Sequence, residues 1–179
     1  MAAVSHPSEP DRRSRLQTIA RIEGHAADAL VYWLGVFGIY LTFGFLWYYA
    51  AKEKLFDQDG TMPVGLKKAF DGSFIDSVPG LDTAWLLLGL LDAAAFLLIA
   101  ASLITGELLP NRRKPLLLAG LGVSIFTFAV MAFANNMIGN YETVASLFSY
   151  FTGTVIVIGL ILLMPPYRGR EWLSRITRS

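Results

Sequence analysis

Residues Leu86–Ala100 read LLLGLLDAAAFLLIA, a run suited to hydrocarbon and interrupted by one carboxylic acid, Asp92. The run belongs to an apolar stretch over Thr83–Ile104, and three others accompany it: Ala29–Ala51, Pro115–Ala134 and Thr143–Met164. At 1.5 Å of rise per residue, each is long enough to cross a hydrocarbon core about 30 Å thick. A helix of that length on a soluble core keeps a polar face, and these do not. The sequence therefore predicts an all-α, integral membrane four-helix bundle in contact with the lipid bilayer. Composition agrees, with 54% of the 179 residues hydrophobic and 16% charged.

The basic residues give the threading. Arg12, Arg13, Arg15 and Arg21 precede the first span; Arg112, Arg113 and Lys114 separate the second and third; Arg168, Arg170, Arg175 and Arg178 follow the fourth. These eleven of the fifteen Lys and Arg fall on the face that holds both termini. The positive-inside rule then predicts that both termini are cytoplasmic. The expected location is a bacterial cytoplasmic (inner) membrane. The first span is too long for a signal-peptide core and is read as retained. The chain has no cysteine, which excludes disulfides, thiolate metal sites and cysteine redox relays within it.

Residues 1–15 are polar and proline-containing and read as a disordered tail ahead of a four-span domain over 16–166. Leu16, Ile19, Ala20 and Ile22 have helical spacing and predict a short interfacial helix. Trp47, Tyr48 and Tyr49 at one end of span one, and Tyr32 and Trp33 at the other, form aromatic belts. Gly35, Gly38, Gly44, Gly120, Gly122, Gly153 and Gly159 are positions for close helix approach. In the loop after span one, Leu66, Phe70 and Phe74 recur every four residues and predict one short helix capping the bundle or lying on the outer leaflet. In the same loop, Asp57–Gly60 (DQDG) lacks the later ligands of a calcium loop and reads as a turn. Pro165–Pro166 ends span four, and residues 167–179 read as a basic tail on the anionic leaflet. A tail this short beside a span does not suit nucleic acid. His6 and His25 read as solvated and headgroup-level residues, and no metal, haem, flavin or iron–sulfur signature is visible.

Asp92 is about nine residues into span two, roughly 13 Å below the outer boundary. A charged carboxylate facing lipid at that depth costs on the order of 3 kcal/mol. Protonation, pairing with a cation, or a hydrated pocket would each relieve that cost, and all three turn the side chain inward. Lys54 ends span one on the same side, and its stem is long enough to reach into the bundle. Tyr150 lies at the same depth in span four, and Asn135 and Asn136 mark the outer end of span three. These five residues outline a polar pocket opening outward with Asp92 at its floor. Interhelical glue is an equally physical role for such groups. Glu107, close to Arg112 and Arg113, reads as a solvated interface charge.

Two segments carry a family resemblance. Phe43–Asp57 (FGFLWYYAAKEKLFD) and Trp85–Gly106 (WLLLGLLDAAAFLLIAASLITG) resemble DoxX-like membrane proteins. Lys54-Leu55-Phe56 matches the lysine motif that ends the first span of that family. Gly89-Leu90-Leu91-Asp92 matches its glycine-to-acid motif, with aspartate for glutamate. The resemblance covers about Leu30 to Met164. It implies a four-helix membrane bundle and an accessory or quinone-associated role in a membrane redox system, with a quinone as the ligand. A membrane-protein partner or a second copy of the chain is expected alongside. A non-enzymatic scaffold of a larger complex and a small proton-linked transporter remain open beside it.

Overall fold

The computed structural model describes residues 9–77 and 80–163, with side chains described from Ala29 onward. The terminal segments 1–8 and 164–179, including Pro165–Pro166 and the basic tail, lie outside the described residues. The described chain is helical throughout, with no strand. Helix α1 spans Glu9–Lys52 and runs into a π-helical turn at Glu53–Asp57. Two short helices follow, α2 over Val64–Phe70 and α3 over Phe74–Ser77. Three long helices complete the fold: α4 over Leu81–Ile104, α5 over Pro115–Met137 and α6 over Tyr141–Leu163. Among the described residues, four helical stretches are long and apolar enough to cross a membrane: Ala29–Asp57, Leu81–Ile104, Pro115–Met137 and Tyr141–Leu163. These match the four predicted runs, with ends shifted by a few residues.

The chain divides into two compact units at Gly38. The first is helical from Glu9, unbroken through the stretch expected to hold a tail and a separate interfacial helix, and Tyr32 packs edge-on to Trp33. The second unit, from Ile39, holds the bundle. Its core is built by Phe43 and Trp47 of α1, Ala95 and Ile99 of α4, Leu117, Leu121 and Phe128 of α5, and Leu147 and Ile161 of α6. The register of α1 against α4 is antiparallel: Tyr40 shares a 2.9 Å hydrogen bond with Ser102, Tyr48 packs on Phe96, and Lys54 meets Asp92.

Of the glycines expected at helix contacts, Gly120 is used in this way. A Cβ there would stand 2.8 Å from Cγ1 of Ile99 and 3.3 Å from the Ala95 carbonyl oxygen, so α5 lies close on α4 because the side chain is absent. A Cβ at Gly35, Gly38, Gly44, Gly122, Gly153 or Gly159 would meet nothing within 4 Å. A helical glycine with open space around it has the flexibility cost of glycine without the packing benefit.

The turn between α4 and α5 corrects the reading of Glu107. Its side chain is buried, and its carboxylate accepts hydrogen bonds from the backbone N–H groups of Leu116 (3.1 Å) and Leu117 (3.0 Å). It therefore caps the start of α5, where N–H groups lack partners and the helix dipole favours a negative charge. Lys114 is buried beside it and donates to the carbonyls of Glu107 and Leu109. Burial pushes the Lys114 ammonium below its usual pKa, and the Glu107 carboxylate opposes that shift.

Candidate functional site

The site begins with the end of α1. Trp47, Ala51 and Lys54 are buried at spacings of four and three, one stripe on the helix. The π-helical turn closes through a bond from the Gln58 N–H to the Glu53 carbonyl (3.0 Å), and the Gly60 N–H returns to the Lys54 carbonyl (2.8 Å). Such wide turns recur where a helix presents a functional group. The return is possible because Asp59 and Gly60 both adopt positive φ, 47° and 69°, so the DQDG segment is a turn. At the surface, Lys52 pairs with Asp57 at 2.7 Å across the same turn.

Helix α4 approaches this turn through Gly89. A Cβ at that position would lie 2.9 Å from Cδ2 of Leu55 and 3.0 Å from Cβ of Lys54. One turn further along α4, the Asp92 side chain is fully buried, and Nζ of Lys54 stands 2.9 Å from its Oδ2, with the lysine side chain 8% exposed. The contact falls outside hydrogen-bond geometry, and both carboxylate oxygens are without a hydrogen-bond partner. It is therefore an ion pair that leaves acceptor capacity free at Oδ1. The ammonium also sits 5.0 Å from the ring centroid of Trp85, within cation–π range. Nε1 of Trp85 in turn donates to Oε1 of Gln58 at 2.9 Å, which fixes the ring.

Beyond Trp85 lies a cavity of about 420 Å³. Helix α4 lines it with Ala84, Trp85, Leu88 and Leu91, α5 with Met131 and Asn135, and the loop helices with Leu66, Phe70 and Phe74. The expected single loop helix is two helices, because the chain reverses at Gly72 with φ of +72°. The three apolar residues still share one wall. The loop is held over the cavity by Asp82, whose carboxylate accepts from the Met62 N–H (2.9 Å) and from Lys67 (2.8 Å).

Of the five residues expected around one pocket, the fold brings Lys54 and Asp92 into contact. Asn135 lines the apolar cavity and spends its amide on the Met131 carbonyl (2.9 Å). Asn136 is exposed. Tyr150 is 57% exposed and stacks on Phe128 of α5, at a centroid distance of 5.8 Å. Trp85, Gly89 and Gln58 complete the surroundings of the pair. The glycine and the tryptophan stand in the motif segment at spacings of three and seven from Asp92, a same-face signal. Gln58 lies in a turn, where no periodicity marks it. Compared with family models, with curated proteins and with solved structures, the chain gives no match.

Proposed function

We propose that the protein is a DoxX-like integral membrane protein that serves a membrane redox system as a quinone-associated accessory subunit. The reading places both termini in the cytoplasm of a bacterial cell and the loop helices on the outer side. The observation that carries it is the buried Lys54–Asp92 pair, 2.9 Å apart with one carboxylate oxygen unpartnered. An intramembrane ion pair is retained for function more often than for stability, because two apolar residues of similar volume fold as well or better. The residues present suit a quinone headgroup. The Lys54 ammonium is a donor for a carbonyl oxygen, the free Asp92 oxygen an acceptor for a hydroxyl, and Trp85 an aromatic wall. A bound quinone would supply two-electron chemistry, and this chain would hold and orient the headgroup and exclude lipid from the pair.

Extraction of quinone from the purified protein tests the reading. Retained quinone that falls in Asp92→Asn, with the helical circular dichroism spectrum unchanged, is the expected result. Equal retention in the variant, or no quinone in either, removes Asp92 from that role.

A further inference from the structure

We infer that the cavity beneath α2 and α3 is a seat for one hydrocarbon chain of a bilayer amphiphile, entering sideways between α4 and α5. The inference deepens the proposed reading and rests on it only for the identity of the headgroup.

Three observations point to the occupant. First, the polar groups at the cavity wall are already engaged within the protein. The Trp85 N–H donates to Gln58 and the Asn135 amide donates to the Met131 carbonyl. The Asn135 side-chain oxygen accepts from Asn140 at 3.2 Å. The rest of the lining is aliphatic or aromatic, so a polar ligand portion would lose most of its hydration without compensation. Second, the rim is continuous with the surface that faces lipid. Leu87 is 50% exposed and Phe133 62% exposed, and both line the cavity. Third, the volume of about 420 Å³ lies in the range of roughly 300–1,000 Å³ that holds small ligands. Lining positions run from Ala84 to Leu91 on α4 and from Val130 to Asn135 on α5. The seat therefore occupies the loop-side part of the bundle, and its deepest α4 position, Leu91, directly precedes Asp92 in the chain.

Trp85 is the shared element. One face of its ring carries the Lys54 ammonium, and the residue also lines the cavity. A chain in the seat thus touches the residue that walls off the ion pair, and a headgroup attached to that chain is delivered next to Lys54 and Asp92.

Binding of radiolabelled decyl-benzoquinone to the full chain in detergent, by equilibrium dialysis, tests the seat. Unlabelled 1-decanol and tail-less benzoquinone serve as competitors. Two variants fill the cavity, Leu91→Trp and Ala84→Phe, and a cooperative melt checks that each is folded. The expected result is that 1-decanol competes, and that each folded filling variant binds the decyl compound at least tenfold more weakly. Asp92→Asn separates the two claims, because it leaves competition by 1-decanol intact. If labelled 1-decanol binds and is lost on filling while no quinone binds, the seat stands and the quinone reading falls. If decyl-benzoquinone binds the wild type and both filling variants equally, the seat is wrong and the quinone reading survives. Absence of any chain-length dependence in the wild type also overturns the seat.

Discussion

Removing either partner of the Lys54–Asp92 pair should destabilise the bundle, but by different amounts. Asp92 is fully buried mid-helix, and Lys54 is its charged neighbour at 2.9 Å. Lys54→Met leaves that carboxyl group buried without its partner, a change that costs about 3–5 kcal/mol in buried pairs. Asp92→Leu should be milder. Lys54 stands at the end of its helix, beside an exposed turn, and its stem lets the ammonium swing toward water. We expect about 1–2 kcal/mol, the upper part of the range for polar contacts between membrane helices. The double variant Lys54→Met/Asp92→Leu removes both charges and fills their space with hydrocarbon. It should return to within about 1 kcal/mol of wild type. The assay is reversible unfolding in mixed micelles by titration with sodium dodecyl sulfate, followed by far-ultraviolet circular dichroism. The four free energies form a double-mutant cycle. If the single costs add in the double to within about 0.5 kcal/mol, the two side chains do not interact and the geometry of the site is wrong.

Other perturbations have equally definite expectations. Gly89→Ala and Gly120→Ala each insert a Cβ within 2.9 Å of a neighbouring side-chain atom and should cost about 1–3 kcal/mol in the same unfolding assay, while Gly122→Ala, with open space around it, should be neutral or slightly stabilising. Glu107→Ala leaves the Leu116 and Leu117 N–H groups without their cap and should lower stability by about 1–2 kcal/mol, with faster amide exchange confined to the first turn of α5. Asp82→Ala releases both tethers of the loop helices, so limited proteolysis within residues 62–70 should accelerate while the four long helices remain resistant.

The sequence placed the long helices because hydrocarbon imposes one requirement on every residue of a span, and a run of about 20 apolar residues meets it visibly. It also brought Lys54 and Asp92 to the same depth, because rise per residue converts sequence distance into depth along consecutive antiparallel helices. Equal depth is not contact, however. Tyr150 lies at a similar depth and shares a helix face with the buried Leu147 and Thr154, but its ring stacks on Phe128, stays 57% exposed and makes no hydrogen bond to Asp92. In a membrane both faces of a helix are apolar, so the periodicity that reveals the buried face of a soluble helix is weak. The same lack of contrast hid the cavity. Leu88, Leu91 and Met131 read like any lipid-facing residue, and only the fold shows that they share a space with Phe70 and Phe74. Glu107 was misread for another reason. Its partners are backbone N–H groups across a reversal at Gly106, with φ of +73°, and no side-chain pattern announces a backbone acceptor site.

The Asp92 carboxylate turns from lipid toward a lysine of the neighbouring helix, and the whole site depends on that pairing. The most direct measurement is the magnetic dipolar coupling between ¹⁵Nζ of Lys54 and ¹³Cγ of Asp92, recorded by solid-state NMR on selectively labelled protein in lipid bilayers. The 2.9 Å approach of Nζ to Oδ2 predicts strong dephasing of the Asp92 carboxyl signal by Lys54. A carboxyl signal that shows no dephasing would place the two groups apart and contradict the account.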